Sequence, residues 1–190
     1  MDKQNKLDNL KREIVEFKNY SEKLRESMID VMGDNYHPLP FFGNANAKYM
    51  FIGVAPGRLD KKYKNPSEDD SAFKYGSGKI LMRLLKDFNI DLELIFFTNI
   101  IKSNTPKDNM FLDSDVREFS KILLKEIEIL EPEKIIVLGS QARGYFKDYI
   151  LNFIFKKYSN NIYYKKHPAI VSRNFISYEN YKKAFEEVFI

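Results

Sequence analysis

The 190-residue sequence contains no cysteine and only two histidines. The absence of cysteine excludes disulfides, thiolate nucleophiles, zinc sites with cysteine ligands and cysteine-bound iron–sulfur clusters. No apolar run reaches the roughly 18 residues that a membrane-spanning helix needs. The first residues also lack the hydrophobic segment of a secretory signal. We therefore expect a cytoplasmic protein with no membrane association, no metal and no other cofactor.

Composition and charge limit the number of domains and the kinds of partner that the chain can have. Hydrophobic residues make up 44% of the chain, which is enough for one domain, residues 1–190, with a substantial core. Lys and Arg number 31 against 27 Asp and Glu, giving a net charge of +4. A mildly basic surface permits a nucleic-acid partner but does not require one, because many charges lie on solvated helix faces.

The pattern of apolar residues predicts alternating strands and helices. A stripe from Leu7 to Val31 predicts one amphipathic helix that ends at Gly33 and packs on the domain as an N-terminal helical segment, residues 1–33. Buried strands are predicted at residues 48–54, 94–101, 134–138 and 161–164. Helices are predicted to begin near Ser77, Asp113, Ser140 and Ser177. This alternation predicts an α/β fold, a three-layer α/β/α sandwich around a four-stranded, mainly parallel sheet.

Two features follow the first strand. In such folds ligands bind beyond the carboxyl ends of the strands, where the turn formed by residues 54–57 would bring backbone N–H groups close to a ligand. An ordinary strand–helix turn is the alternative. Phe73, in the loop before the next helix, can stack on a planar base, or it can be a core residue.

Two polar residues lie at later strand ends. Asn99 ends the second strand, and the donor and acceptor of its amide can read the edge of a pyrimidine. A turn-forming role is the alternative. His167 precedes a proline that keeps the backbone extended. A neutral imidazole can donate to an oxygen that gains negative charge as a bond breaks, although an isolated histidine is often structural.

Taken in order, the motifs resemble those of one known family. They are Gly-x-Ala-Pro-Gly after a strand, Phe-x-x-x-x-Gly before a helix, Thr-Asn-x-x-Lys, Pro-x-x-Ile-x-x-Leu-Gly, and His-Pro. This series resembles the uracil-DNA glycosylase superfamily over about residues 40–190, with the order and spacing of its iron–sulfur, thermostable type. The resemblance implies a pocket for a flipped base and hydrolysis of the N-glycosidic bond of a deaminated base.

The resemblance also implies roles for individual residues. His167 would stabilise the departing base anion, and Asp60 is a candidate to act on water. The base pocket would be formed by Val54, Ala55, Pro56, Gly57, Phe73 and Asn99. Contacts to the DNA backbone would come from Lys102, Ser140, Lys165, Lys166 and Arg173.

Three positions depart from the family pattern. Val54 stands where relatives commonly place a Glu, Asp or Asn that positions water, Tyr75 stands where they usually have Gly, and Ser103 stands where a cluster cysteine would be. The leading hypothesis is a monomeric DNA glycosylase acting on uracil or another deaminated base in DNA. The alternative, favoured by Val54, is a non-catalytic member that binds a nucleobase or nucleic acid. A small-molecule-binding α/β module is a more distant alternative.

Overall fold

A four-stranded parallel sheet lies at the centre of the computed structural model, which describes residues 2–56, 77–106, 108 and 110–190. Its strands are paired in the order β2-β1-β3-β4. Their bounds are β1 Tyr49–Gly53, β2 Ile95–Asn99, β3 Lys134–Leu138 and β4 Ile162–Lys165. The sheet and the helices on both of its faces confirm the predicted α/β fold.

Helices connect and cover the strands. Their bounds are α1 Lys3–Glu16, α2 Glu22–Met32, α3 Gly78–Asp87, α4 Asp113–Leu130, α5 Ser140–Tyr149, α6 Leu151–Tyr158, α7 Ala169–Ser172, α8 Tyr178–Lys183 and α9 Glu186–Phe189. Among the residues that the structure describes, no helix is both long enough and apolar enough to cross a membrane.

The alternation of side chains along each strand builds two hydrophobic cores. In β1, Met50 and Ile52 face the core that α1, α2, α4, α5 and α6 cover. Phe51 faces the opposite core, against α3, α8 and α9. Successive side chains of a strand point to opposite faces, so a strand buried on both faces reads as an uninterrupted apolar run.

The N-terminal helical segment differs from the prediction of one helix, because it breaks between α1 and α2. The Asp115 carboxylate of α4 accepts the Ser21 N–H at 2.7 Å and the Ser21 hydroxyl at 2.6 Å. Ser21 also caps α2 by accepting the Leu24 N–H. A continuous helix would engage the Ser21 N–H in its own ladder, so the contact with α4 requires the break. The predicted end at Gly33 is confirmed, with φ of 73°.

Both N-terminal helices pack on the rest of the chain. Leu7, Leu10 and Leu24 are buried in the core that α4 shares. At the break, the Phe17 ring lies 5.1 Å from the Phe119 ring of α4, measured between centroids. The apolar stripe therefore packs against the domain, as predicted.

The segment before β1 crosses the outer edge of β2. Phe42 forms an antiparallel bridge with Phe97, in which each residue donates its N–H to the carbonyl of the other, at 2.9 and 2.8 Å. Gly43, with φ of 125°, lies so close to β2 that a Cβ would be 2.7 Å from the Ile95 carbonyl oxygen. Only glycine fits this approach without strain.

Candidate functional site

Two glycines form the centre of the carboxyl edge of the sheet. Gly53 ends β1 and Gly139 directly follows β3, and these neighbouring strands lie about 4.8 Å apart. A Cβ on Gly53 would lie 2.4 Å from Oδ1 of Asn99. A Cβ on Gly139, whose φ is 96°, would lie 3.2 Å from Cβ of His167. The missing side chains therefore make the space that Asn99 and His167 occupy.

Asn99 is the last residue of β2 and pairs in register with Gly53. Its side chain is half-buried and lies across the end of β1. The side-chain amide of Asn99 forms no hydrogen bond with any other residue that the structure describes. A half-buried amide with free donor and acceptor groups is available to a ligand.

His167 follows β4 and leans over the end of β3. The Ala169 N–H donates to its Nδ1 at 3.2 Å. Because a backbone N–H can only donate, the neutral ring carries its proton on Nε2. The residue as a whole is exposed, yet partial burial of the ring and then the positive charge of Arg173 lower its pKa below the usual value. The imidazole is therefore a neutral donor near pH 7.

Hydrogen bonds hold the loop that follows β4, residues 166–175, which we call the His-Pro loop, although part of it is exposed. The hydroxyl of Tyr181, a residue buried in α8, donates to the Lys166 carbonyl at 3.1 Å. Phe175 N–H donates to the Ile170 carbonyl at 3.0 Å and closes the turn after α7. The Phe175 side chain is nevertheless 72% exposed. This large apolar side chain is exposed on the loop that carries His167, and the sequence motifs did not indicate it.

The turn after β1 is fixed mainly through its backbone. The Val54 carbonyl accepts the Ile101 N–H at 2.9 Å, and the half-buried side chains of Val54 and Ala55 pack against the core. Pro56 is buried. The Val54 side chain has no polar atom, so it cannot orient a water molecule.

The family model of the uracil DNA glycosylase superfamily matches residues 40–189. The chain belongs to this superfamily. The match begins before β1 and ends in α9, so it includes all four strands and both glycines at the carboxyl edge.

Several proteins named type-4 uracil-DNA glycosylase are similar to the chain. That of Saccharolobus solfataricus is 32% identical over 108 residues, which is 56% of this chain and 47% of the relative. That of Thermotoga maritima is 29% identical over 106 residues, 56% of this chain and 52% of the relative. That of Archaeoglobus fulgidus is 27% identical over 136 residues, 72% and 61%. The matched regions thus span about half of the length of these curated relatives.

The residues of this chain do not fit the iron–sulfur cluster of the type that its motifs resemble. Such a cluster needs cysteine thiolates, and the sequence has none. Ser103, at the position of one expected ligand, is buried, and its hydroxyl donates to the Asn104 carbonyl at 3.4 Å. Within the described ranges, no three His, Asp or Glu side chains form a cluster suited to a metal.

Two lysines predicted to contact DNA are paired with glutamates. Lys102 is 1% exposed, and its ammonium is 2.7 Å from the Glu126 carboxylate. The ammonium of Lys165 is engaged by Glu187 and by the Ala184 carbonyl. The Lys102 ammonium is enclosed by the protein and is not free to contact a phosphate. Lys165 pairs with a carboxylate that is 69% exposed, so its contact with DNA stays a prediction.

The remaining residues named in the sequence analysis are either exposed or outside the residues that the structure describes. Ser140 begins α5 at the glycine edge, and Lys166 and Arg173 flank His167; all three are exposed. Gly57, Asp60, Phe73 and Tyr75 fall outside the described residues. Glu126 and Phe175 lie beside the candidate site and were not indicated by the sequence, whereas Gly139 was part of a motif but was given no role. The signal for Gly139 was available, since it follows a predicted strand as Gly53 ends one.

Proposed function

We propose that this chain is a DNA glycosylase that hydrolyses the N-glycosidic bond of uracil, or of another deaminated base, in DNA. The observation that carries the proposal is the pairing of Asn99 over Gly53 with His167 over Gly139. One side chain can read the edge of a base, and the other can stabilise charge on it. Family membership and the names of the similar proteins support the same reaction.

The chemistry follows from the two donors. As the C1′–N bond of the nucleotide breaks, its electron pair leaves with the base, and the sugar becomes an oxocarbenium-like cation. The Nε2–H of His167 would donate to the base oxygen on which the negative charge develops. Water then adds its hydroxyl to C1′ and releases a proton to solvent. Asn99 would bind the edge of the base equally in the substrate complex and in the transition state. It would therefore determine which base is bound and would not lower the barrier to bond cleavage.

Exposed groups near His167 provide the contacts that DNA requires. Lys166 and Arg173 can neutralise phosphates. The anchored Phe175 ring can enter the base stack and fill the space that a flipped nucleotide leaves. With a net charge of +4, few phosphate contacts are expected, and each should contribute about −0.9 to the log–log slope of affinity against salt.

The proposal is tested by incubating the purified protein with oligonucleotides that carry uracil, hypoxanthine or xanthine. Alkali-labile abasic sites should appear with at least one of these bases, and none should appear with the normal bases. Salt-dependent binding to such DNA without excision of any base would favour the alternative, a non-catalytic nucleobase- or nucleic-acid-binding member. Binding that does not change with salt would point to a small-molecule ligand.

Val54→Asn should raise kcat for excision while KM stays unchanged. Valine gives water no partner, whereas an amide at this position can orient water toward C1′. A positioned base or water raises the rate about 100- to 10,000-fold in many enzymes. A single new amide that was not evolved for this task should do less, and we expect kcat to rise about tenfold. Single-turnover excision measures the effect, with the isosteric Val54→Thr as a second variant. An unchanged rate in both would mean that water positioning does not limit the reaction.

Arg173→Gln should move the acid limb of the kcat profile to higher pH. Protonation of His167 at Nδ1 removes the acceptor for the Ala169 N–H and disturbs the ring position. Activity should therefore fall as pH decreases through the pKa of His167. Arg173 lowers that pKa, so its removal raises the pKa and the midpoint of the limb. Lys183→Gln, a change of an exposed lysine on α8, should leave the midpoint in place; an equal shift in both variants would contradict the assignment to Arg173.

A further inference from the structure

A fully buried ion pair lies beside Asn99. Lys102 and Glu126 are 1% and 0% exposed, and Nζ of Lys102 lies 2.7 Å from Oε1 of Glu126. The angles of this contact are not those of a hydrogen bond, so it is an ion pair only. The Thr98 hydroxyl joins them, since it accepts from Nζ at 2.5 Å and donates to Oε2 of Glu126 at 2.8 Å. The three side chains connect the end of β2 to the C-terminal half of α4.

The same ammonium also contacts the backbone of Asn99. Lys102 Nζ donates to the Asn99 carbonyl at 2.7 Å. The next residue, Ile100, donates its N–H to Gly53. Because successive residues of a strand direct their polar groups to opposite sides, the Asn99 carbonyl faces away from β1, where Lys102 takes the place of a neighbouring strand.

We propose that Lys102, held by Glu126 and Thr98, positions Asn99 for base recognition; this inference rests on the proposed function. Lys102 fixes the peptide plane that follows Asn99. Gly53 leaves room for the Asn99 amide on the other side. The hydrogen bond from Lys102 and the space at Gly53 together favour one position of the Asn99 amide, over the end of β1.

Stability alone gives weak reason for such a pair. Desolvation of two charges can cost as much as their attraction returns, and buried ion pairs replaced by apolar residues of similar volume often leave stability unchanged or improved. Removing one member is different, because it leaves the other charge buried without a partner. Stability and positioning can therefore be separated by removing all the polar members together.

The kinetic signature of lost positioning is specific. Asn99 would contact the base in both the bound substrate and the transition state, so a displaced amide raises KM more than it lowers kcat. Misplacement of a group by about 1 Å can cost roughly 100-fold. We expect kcat/KM for uracil to fall by about 10- to 100-fold, mostly through KM, with a smaller preference for uracil over cytosine.

The decisive variant is Lys102→Met/Glu126→Leu/Thr98→Val, which replaces the whole polar group with apolar side chains. Its melting temperature should stay near that of the wild type, while KM rises and base preference weakens. If this variant does not fold, Lys102→Met/Glu126→Gln keeps an acceptor for the Thr98 hydroxyl and carries the same kinetic expectation. Lys48→Met is the matched control, since it removes an exposed pair with Glu133 at the opposite end of β1 and should change neither quantity.

A readout without catalysis completes the test. In ¹⁵N-labelled protein the Asn99 side-chain amide should give one sharp pair of signals in the wild type, and shifted or broadened signals in the apolar variant. An apolar variant with wild-type stability, KM and Asn99 signals overturns the inference. A wild-type protein that excises no base removes the proposed function instead, and the Asn99 signals then still decide whether Lys102 fixes this side chain.

Discussion

His167→Ala should lower kcat for excision by about 100- to 1,000-fold, equivalent to roughly 3–4 kcal/mol of transition-state stabilisation. The Nε2–H of His167 would be aimed at charge that is absent from the bound substrate and present when the glycosidic bond breaks. Loss of such a donor therefore reduces kcat rather than affinity. Single-turnover excision under saturating protein gives the rate constant of bond cleavage, and multiple-turnover excision gives kcat. Fluorescence anisotropy gives DNA affinity, which should be nearly unchanged because the phosphate contacts lie elsewhere.

The chain offers a matched control for this experiment. The other histidine, His37, is half-buried in the segment before β1, and its Nδ1 lies 2.9 Å from the Pro38 carbonyl oxygen. His37→Ala should leave kcat unaffected. If the two variants lose excision to the same extent, the loss reports a general weakening of the fold, and the catalytic role of His167 is refuted.

Gly53→Ala should greatly lower kcat/KM for excision without unfolding the protein. The new methyl group would lie 2.4 Å from Oδ1 of Asn99, and the flexible end of that side chain can move away, while the strand itself can remain in place. The Asn99 amide then leaves its position over β1. We expect kcat/KM to fall about 100-fold, with the free energy of unfolding within about 1 kcal/mol of the wild type.

Gly144→Ala tests whether a methyl group as such matters. Gly144 lies in α5, and a Cβ there meets no atom within 4 Å. This change should stabilise the helix by about 0.5–1 kcal/mol and leave excision intact. If Gly53→Ala retains full activity with unchanged base preference, the Asn99 amide does not read the base from its observed position.

Much of the fold could be predicted because strands buried on both faces appear as uninterrupted apolar runs. The bounds of β3 agree with the prediction, while β1 and β2 are shorter at their ends. The break between α1 and α2 could not be predicted. The apolar stripe continues through it, and its cause is the bond of Ser21 to Asp115, 94 positions along the chain.

The candidate site was predictable to the extent that strand ends determine it. Asn99 lies near the end of a predicted strand and His167 follows another, and parallel strands bring their carboxyl ends to one edge. The fate of individual cations was not predictable. Lys102 and Lys165 look like DNA contacts in the sequence, yet Glu126 and Glu187 bind them from distant helices. A charge in a motif does not show whether an acidic partner will be folded against it.

The bridge between Phe42 and Phe97 has a consequence for how molecules of this chain associate. A bare outer strand offers unpaired N–H and C=O groups to which strands of other molecules can attach, and this is a common start of aggregation. At β2 the chain occupies that position itself, with Gly43 pressed against the strand. A strand of a second molecule therefore cannot pair with the outer side of β2 at Phe97, where this chain already forms both hydrogen bonds.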